Sequence, residues 1–397
     1  PHLSGTVLIL VVALAFQLAG VSGPAGVALT AIVAAAVAIS WAWLRFIPHP
    51  VRTGAGLALV RTLRAADGSL LAFAEARRHG TADRGDIDLV VRRSADEGRT
   101  WGEMTVVWDD AGNTCGNPAP VLVRETGRIV LLACWNSGPD HERDIEAGKA
   151  ANTRRVFSLH SDDHGVTWSE PVEITSAVKR PEWTWYATGP CHAIQKTRGP
   201  HKGRLVVPAN HKWVTPEGRI ASNSHLLYSD DRGATWQIGA VSQPGGNESS
   251  VTELSNGDLM LNMRHYDRGD SLRLCAVSRD GGATWSRTWE ESQLVEPRCQ
   301  GSILNYAPQG GKSSRTLLFS NPRSLKRENM SIGVSRDNGH TWSRFVTVFK
   351  GRAAYSDLVC LPDGSVGILY ENGDPGGKEE LYRRISFETV SPVRLFD

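Results

Sequence analysis

Short runs of apolar residues recur along the chain, and each run follows a turn that contains glycine. Runs of about four to eight residues between polar turns are typical of β-strands rather than of long amphipathic helices. The clearest examples are GSLLAFAEAR at 68–77, GRIVLLACWN at 127–136, GRLVVPANH at 203–211, GDLMLNMRHY at 257–266 and GSVGILYENG at 364–373. This pattern predicts an all-β fold that is rich in turns.

The first 48 residues follow a different pattern. Residues 6–21 and 27–47 are almost wholly apolar, with Gly23-Pro24 between them. Stretches of this length predict one or two membrane-spanning helices over residues 1–48, ahead of a domain over residues 49–397. A signal peptide followed by a hydrophobic leader is the alternative. Arg45 and Arg52 favour a cytoplasmic position for the domain after residue 48, but two charges leave the side open.

One eight-residue phrase, S-x-D-x-G-x-T-W, occurs five times, starting at Ser94, Ser161, Ser229, Ser278 and Ser335. Its Asp can accept hydrogen bonds from the amides of its own turn, and its Gly permits positive φ. We therefore expect each phrase to form the tip of a β-hairpin. Regular repetition favours a radially repeated architecture, and about 345 residues suit six four-stranded blades of a β-propeller.

Composition excludes several classes of function. The formal net charge is +2, and no basic run interleaves with aromatic residues, so no nucleic-acid partner is expected. The six cysteines contain no C-x-x-C pair, which argues against a zinc or redox motif and favours free, buried thiols. No glycine-rich phosphate loop precedes a helix, so no nucleotide site is expected.

The segments between the repeats resemble those of the bacterial exo-α-sialidases (neuraminidases), a family with Asp-box (BNR) repeats. The matching phrases are FAEARR, DIDLVVRRS, NTCGNPAPVL, WNSGPDHERDI, WYATGPCHAIQ, NESSVTEL and AYSDLVCLPDG. The resemblance implies a retaining glycoside hydrolase that removes terminal α-linked sialic acids from glycoproteins, gangliosides and oligosaccharides. It also implies a catalytic domain that is monomeric, extracellular and independent of metals and organic cofactors.

The resemblance assigns the catalytic nucleophile to Tyr355 and its base to Glu248. A sialic acid carries a carboxylate on its anomeric carbon, so a carboxylate nucleophile would meet like charge. A phenol that loses its proton as it attacks lessens that repulsion, and sialidases are known to use a Tyr nucleophile. Glu253, on the apolar run VTEL, is the competing base and is more typical of a support residue.

The family places its general acid on a polar loop after the F-A-E-x-R strand. Asp83 fits the family's interval of nine residues before the paired arginines Arg92 and Arg93. Asp86 and Asp88 are rivals that lie closer to the next predicted strand. A loop carboxyl covered by substrate can hold the proton that the leaving group needs.

By the same resemblance, Arg264 and Arg327 bind the substrate carboxylate, since guanidinium groups bind carboxylates bidentately. Arg323 is an alternative to Arg327. Glu371 braces the arginine cluster, and Arg77 lies near the floor of the pocket. Tyr186, together with Trp183 and Trp185, resembles the segment beside the glycerol tail of the sugar; packing between blades is the alternative for the tryptophans.

The chain departs from the family at the first of its three carboxylate-binding arginines. The family's Y-R-I-P phrase precedes an A-L-V strand, but here the arginine position before Ala58–Val60 falls on Ala55. Arg52 and Arg61 are possible substitutes. Losing one charged hydrogen-bonding contact costs about 1.5–3 kcal/mol, so activity is expected to be weakened. The rival hypothesis is a catalytically impaired propeller that binds sialylated glycans; a third is a generic protein-binding scaffold.

Overall fold

The computed structural model describes residues 56–80, 82–266, 271–307, 314–373, 381–382 and 384–397. The chain divides into two units, Pro1–Val51 and Arg52–Asp397. The predicted leader of residues 1–48, together with Arg52 and Ala55, lies outside the described residues. In the part of the chain that is described, no helix is both long and apolar enough to span a bilayer.

The described residues are nearly all β-structure, arranged in four sheets. The first sheet contains β1 Gly56–Arg64, β2 Leu70–Arg77, β3 Ile87–Ser94, β4 Thr105–Trp108, β5 Thr114–Leu122, β6 Ile129–Asn136, β7 Arg155–Ser161 and β8 Val172–Glu173. The second contains β9 Trp183–Thr188, β10 Ile194–Gln195, β11 Leu205–Val214, β12 Ile220–Ser229 and β13 Gln237–Val241.

The third and fourth sheets continue the same order. The third contains β14 Gly246–Glu253, β15 Leu259–His265, β16 Leu272–Ser278 and β17 Arg287–Val295. The fourth contains β18 Ser302–Asn305, β19 Leu317–Pro322, β20 Glu328–Ser335, β21 Arg344–Cys360, β22 Val366–Asn372 and β23 Arg384–Val390. Within the described ranges there are three short helices: α1 Glu142–Glu146, α2 Thr175–Val178 and α3 Pro392–Phe396.

Within each sheet, strands that follow one another in sequence mostly pair antiparallel, as a meander requires; in the second sheet β9 and β10 both pair with β11 instead of with each other. A single parallel bridge, Ile87 to Thr114, joins β3 to β5, so the first sheet consists of two four-stranded meanders. Apolar faces of successive meanders pack together: Phe73 and Leu89 of the first share a buried cluster with Leu131 of the second. Meanders stacked face to face in chain order are propeller-like.

The hairpin prediction for the repeats is confirmed. The five phrases connect β3 to β4, β7 to β8, β12 to β13, β16 to β17 and β20 to β21. In the turn at Asp96, the carboxylate accepts hydrogen bonds from the Thr100 amide at 2.8 Å and from the Thr100 hydroxyl at 2.6 Å. Gly98 has φ of +87°, a conformation that glycine adopts without strain. Each turn is thus satisfied within its own phrase.

The cysteine prediction is also confirmed for the described chain. All six cysteines are free; Cys360 is half-buried, and the other five are buried. They behave as small apolar side chains within or beside the packed sheets.

Candidate active site

A cleft of about 200 Å³ lies where the first strands of several meanders end. Its lining is dominated by charged and hydrogen-bonding groups that come from widely separated segments between Ala58 and Tyr382. The lining includes Leu59, Glu75, Arg77, Asp83, Asn117, Glu142, Arg154, Trp185, Lys212, Glu248, Arg264, Arg327, Tyr355, Glu371 and Tyr382. The structure therefore brings together seven of the eight residues predicted for the site.

β-Bulges aim the inner strands into this cleft. The pairing register shifts between Ala353 and Ser356 in β21, and between Gly246 and Ser249 in β14. Similar shifts surround Leu59 in β1 and Asn117 in β5. A bulge bends its strand and changes the direction of the side chains on it, which explains why Tyr355 and Glu248 face the cleft from otherwise regular strands.

Tyr355 and Glu248 form a hydroxyl–carboxylate pair. The Tyr355 hydroxyl donates to Glu248 Oε1 at 2.5 Å, and Arg264 Nη1 donates to Glu248 Oε2 at 2.6 Å and to the Tyr355 oxygen at 3.3 Å. Burial and the adjacent Glu248 charge raise the pKa of Tyr355 well above its usual value, although Arg264 and Arg327 oppose this. The resting phenol is therefore neutral.

Glu248, in contrast to the neutral Tyr355, is ionised. Burial alone would raise the pKa of this carboxyl, but Arg264 and the Tyr355 hydroxyl outweigh burial and lower it. An ionised carboxylate that faces a neutral phenol at hydrogen-bond distance is the arrangement a general base requires.

The two predicted carboxylate-binding arginines lie beside this pair. Arg264 is on β15, and Arg327 precedes β20 directly. The Arg327 guanidinium lies 5.7 Å from the centre of the Tyr355 ring, and it donates to the Tyr382 hydroxyl and, at 3.0 Å, to the Arg298 carbonyl oxygen. Arg323 instead covers the Phe345 ring at 3.8 Å, and it does not line the cleft.

Asp83 lies on the loop between β2 and β3, with 67% of its side chain exposed, and its carboxylate contacts Arg77 Nη2 at 2.5 Å. Arg77 also contacts Glu75 at 3.1 Å, so it links the loop to the cleft floor. The rivals of Asp83 do not line the cleft. Asp88 accepts a hydrogen bond from Arg78 at 2.7 Å, and burial raises its pKa to about 6.

Glu371 supports the backbone of the cleft floor. It accepts hydrogen bonds from the Leu59 amide at 2.7 Å and from the Tyr355 amide at 3.2 Å, and burial raises its pKa. Arg61, one suggested substitute for the absent arginine, is fully buried and does not line the cleft. Arg61 follows the register shift between Ala58 and Arg61, and this bulge breaks the alternation that would otherwise place Arg61 on the same face as Leu59.

Tyr186 is the one predicted site residue that the structure does not bring to the cleft. It is fully buried, and its hydroxyl lies 2.9 Å from His225 Nε2 within the core of the second sheet. Its neighbour Trp185 lines the cleft instead. The sequence placed this segment correctly, but alternation on β9 decides which aromatic side chain turns inward.

Several cleft residues were not predicted as site residues. Asn117 lies inside the phrase NTCGNPAPVL, where its positive φ of 54° and the following proline mark an unusual backbone. Glu142 begins α1, and burial raises the pKa of its carboxyl to about 7. Arg154 and Tyr382 carry no local signal, because only tertiary packing brings them to the cleft.

One group of donor side chains in the described residues could hold a metal ion. It consists of Cys191, His192 and Asp357, with donor atoms within 4.8 Å of one another. Asp357 already accepts hydrogen bonds from His192 Nδ1 at 2.7 Å, Cys191 Sγ at 3.1 Å and Ser302 Oγ at 2.7 Å. These protein contacts satisfy the group without an ion.

Comparison with known proteins identifies the family. The model of the BNR repeat-like domain matches residues 68–368. A sialidase of Micromonospora viridifaciens is 35% identical over 324 residues, which cover 77% of this chain and 48% of that protein. The chain thus spans about half the length of this relative.

Two further relatives agree. Sialidase-3 of Mus musculus is 31% identical, with 80% of this chain and 87% of that protein covered. The solved structure of the Hadza microbial sialidase Hz136 superposes with a TM-score of 0.74 at 28% identity, covering 88% of this chain and 68% of that one. The chain therefore belongs to the sialidase family with BNR repeats.

Proposed function

We propose that the protein is a retaining exo-α-sialidase that hydrolyses terminal α-linked sialic acids from glycoproteins, glycolipids and oligosaccharides. The observation that carries the proposal is the Tyr355–Glu248 pair at 2.5 Å in a cleft lined by arginines. A structural tyrosine has no need of a buried carboxylate partner and two guanidinium neighbours.

Binding begins at the substrate carboxylate. Arg327 has no carboxylate partner within ion-pair distance among the described residues, so its guanidinium can receive a substrate anion. Arg264 bridges Glu248 and Tyr355 and presents the same sign of charge. Two such contacts fix the anomeric carbon close to the Tyr355 oxygen, and positioning of this kind supplies a large part of a rate enhancement.

In the first step, Glu248 takes the phenolic proton as the Tyr355 oxygen bonds to the anomeric carbon. The bond to the leaving oxygen breaks, and Asp83 supplies the proton that this oxygen takes. In the second step, a water molecule attacks the anomeric carbon as Asp83 takes its proton. The bond from the anomeric carbon to the Tyr355 oxygen breaks, and Glu248 returns its proton to that oxygen. Two inversions give net retention.

The fold positions this chemistry as a six-unit ring, which we propose as the finer architecture. The six units are β1–β4, β5–β8, β9–β13, β14–β17, β18 to the first half of β21, and the second half of β21 to β23. Residues from all six line the cleft. A second cavity of about 240 Å³ also draws on the inner segments of all six, as expected for the two mouths of one propeller axis.

The membrane assignment remains a sequence prediction. We propose that residues 1–48 tether a monomeric catalytic domain to a membrane, with the domain on the extracellular side. The two apolar stretches of the sequence support the tether; the extracellular side and the monomeric state rest on the family resemblance alone.

A second candidate function is binding of sialylated glycans without cleavage. It is favoured by the sequence at position 55, where the family's arginine is replaced by alanine. Glu371 points the same way: the resemblance assigns it to brace the arginine cluster, but both of its oxygens accept hydrogen bonds from backbone amides, those of Leu59 and Tyr355.

Release of the fluorophore from a fluorogenic α-sialoside tests the proposal. The purified protein should turn over, and Tyr355→Phe should lower kcat by about 10³-fold or more, since the nucleophile is lost. Tyr228→Phe is the matched control, because the Tyr228 hydroxyl bonds Gln237 outside the cleft. Undiminished turnover by Tyr355→Phe would overturn the mechanism; binding of sialic acid without turnover by the wild type would favour the second candidate.

A further inference from the structure

The second cavity, at the mouth opposite the cleft, contains a cation that the surrounding protein leaves unpaired. Arg64 ends β1, is half-buried and lines this cavity of about 240 Å³. Among the described residues, no carboxylate lies within ion-pair distance of Arg64, and its buried Nε has no hydrogen-bond partner. A charge that is partly removed from water is costly unless it is paired. An anionic ligand would therefore stabilise this guanidinium.

Arginines elsewhere in the second and third units have acidic partners from the protein itself. Arg128 contacts Asp162 at 2.7 Å, and Arg204 contacts Asp230 at 2.7 Å. Neither of these arginines lines the second cavity. Arg64 differs in both respects, because it faces a cavity and has no carboxylate beside it.

A buried hydroxyl on the same strand also lacks a partner. Thr62 precedes Arg64 by two residues on a regularly paired part of β1, so the two side chains share one face of the strand. Thr62 is 2% exposed and lines the cavity, and its Oγ1 has no hydrogen-bond partner. Its amide donates to Asp357 Oδ2 at 3.0 Å, and His192 Nδ1 lies 2.7 Å from Oδ1 of the same carboxylate. These contacts fix the backbone of Thr62 and leave its hydroxyl as the group that a ligand can engage.

The acidic group on this wall is already neutralised. Glu253 lines the cavity, but Lys196 Nζ, the amide and hydroxyl of Thr197, and the Arg198 amide occupy its oxygens. Arg124 adds a further positive charge to the wall. The balance of charge around the cavity is therefore positive and favours an anion over a cation.

Apolar side chains form most of the remaining wall. They are Leu63, Val121, Leu122, Ile194, Leu304 and Val359. Such a wall suits a ligand with one anionic end and an apolar body, whereas phosphate would be desolvated against hydrocarbon on several sides. The volume lies just below the range typical of drug-sized ligands, so the cavity fits a small organic acid.

We propose that the second cavity is a binding site for a small organic carboxylate with an apolar body, and that Arg64 and the Thr62 hydroxyl bind its carboxylate group. The site is separate from the cleft, since no residue lines both cavities. The inference does not depend on the hydrolysis of a sialoside, because it concerns the opposite mouth of the fold.

Calorimetric titration of the whole protein with 3-phenylpropionate tests the proposal. The neutral amide of the same shape, 3-phenylpropionamide, should bind at least about tenfold more weakly, because it cannot form a charged hydrogen bond with the guanidinium. Inorganic phosphate, the third probe, should also bind at least about tenfold more weakly than the carboxylate. Absence of carboxylate binding, equal affinity for the carboxylate and the amide, or phosphate binding as tight as that of the carboxylate would overturn the proposal.

Two arginine variants locate the bound carboxylate. Arg64→Met should weaken its binding by about 10- to 100-fold, the usual range for a charged hydrogen bond, and should remove the preference over the amide. Arg327→Met is the matched control, because Arg327 lines the cleft; it should change the affinity by less than about twofold. No loss in Arg64→Met would overturn the proposal, and so would a loss in Arg327→Met alone, which would place the carboxylate in the cleft.

Thr62→Val carries the test if Arg64→Met does not fold. Valine keeps the shape of the side chain and the contact of the amide with Asp357, and it removes a buried hydroxyl that lacks a partner. Thermal stability without ligand should therefore be unchanged or higher, while binding of the carboxylate should weaken by about three- to tenfold. Unchanged binding by the folded Thr62→Val protein would overturn the proposal.

Discussion

Two glutamates on one strand, Glu248 and Glu253 of β14, show how the cleft differs from the opposite mouth of the fold. Glu248 accepts one hydrogen bond from the Tyr355 hydroxyl and one from the Arg264 guanidinium, and it lines the cleft. Glu253 is enclosed by Lys196 Nζ at 3.2 Å, by both the amide and the hydroxyl of Thr197, and by the Arg198 amide at 3.0 Å. Glu253 also lines a cavity, but four protein donors already occupy its oxygens, so Glu248 is the carboxylate with capacity left for a ligand.

The same contrast runs along the other inner strands. At the cleft, β1, β5, β14 and β21 each contain a bulge. Towards the other mouth, their pairing is regular, and their residues line the second cavity. Charge alone therefore does not mark function in this fold. A charged side chain does mark function when it lies on a bulged segment and faces the cleft.

The largest expected effect comes from exchanging the two carboxylates for amides. Glu248→Gln removes the base and should lower kcat by about 10²- to 10⁴-fold; it also costs stability, because the largely buried Arg264 loses its counter-charge. Glu253→Gln should leave kcat of the folded protein within about twofold. It should cost about 3–5 kcal/mol of stability, because Lys196 would be left buried without its counter-charge.

Kinetics and chemical denaturation of both variants check this pair. Equal losses of turnover in the two variants would show that the two ends of β14 are not functionally distinct.

A smaller effect is expected at the arginines. Arg327→Met should raise KM by about 10- to 100-fold, since a charged hydrogen-bonded contact is worth about 1.5–3 kcal/mol. Arg323→Met should change KM by less than about twofold, because that guanidinium covers Phe345 away from the cleft. Steady-state kinetics on the same sialoside distinguish the two arginines; a larger effect at Arg323 would reverse the assignment.

Restoring the absent arginine tests the assignment of the cleft through a gain of activity rather than a loss. Ala55→Arg should raise kcat/KM by about tenfold, up to about 100-fold if both hydrogen bonds of a bidentate contact form. Ala55→Lys is the control, since an ammonium cannot form that fork. No gain in Ala55→Arg would show that position 55 does not supply the family's contact.

The smallest effect is expected in the hairpin repeats. Partial burial alone would raise the pKa of Asp280, but hydrogen bonds from Thr284 and Ser278 outweigh it and lower the pKa to about 2. Asp280→Asn should cost about 1 kcal/mol after allowance for solvent screening, and it should leave kcat unchanged.

The pH dependence of that cost has a definite sign. A carboxyl whose pKa is depressed by folding stabilises the folded state above the unfolded pKa near 4, and this contribution disappears as the pH falls towards 2. Denaturation of wild type and variant at several pH values should therefore converge over this window. A stability difference that grows on acidification would contradict the account.

The sequence predicted most where structure is local. Each Asp-box turn is satisfied within eight residues, so its Ser, Asp, Gly and Thr identify it without tertiary information. The cleft was predicted through family resemblance, which located Tyr355, Glu248 and Asp83 but not their contacts. Tyr186 was misplaced by one strand position, and Arg154 was missed, because strand alternation and packing between meanders decide which side chains reach open volume.

Trapping of the glycosyl–enzyme intermediate is the decisive measurement. The protein is incubated with a 2,3-difluorosialic acid, whose fluorine at C3 slows the second step, and is then digested and analysed by mass spectrometry. The proposed mechanism predicts one added sugar on the peptide that contains Tyr355, and none in Tyr355→Phe. A label on any other residue, or turnover of a sialoside without any covalent adduct, would contradict it.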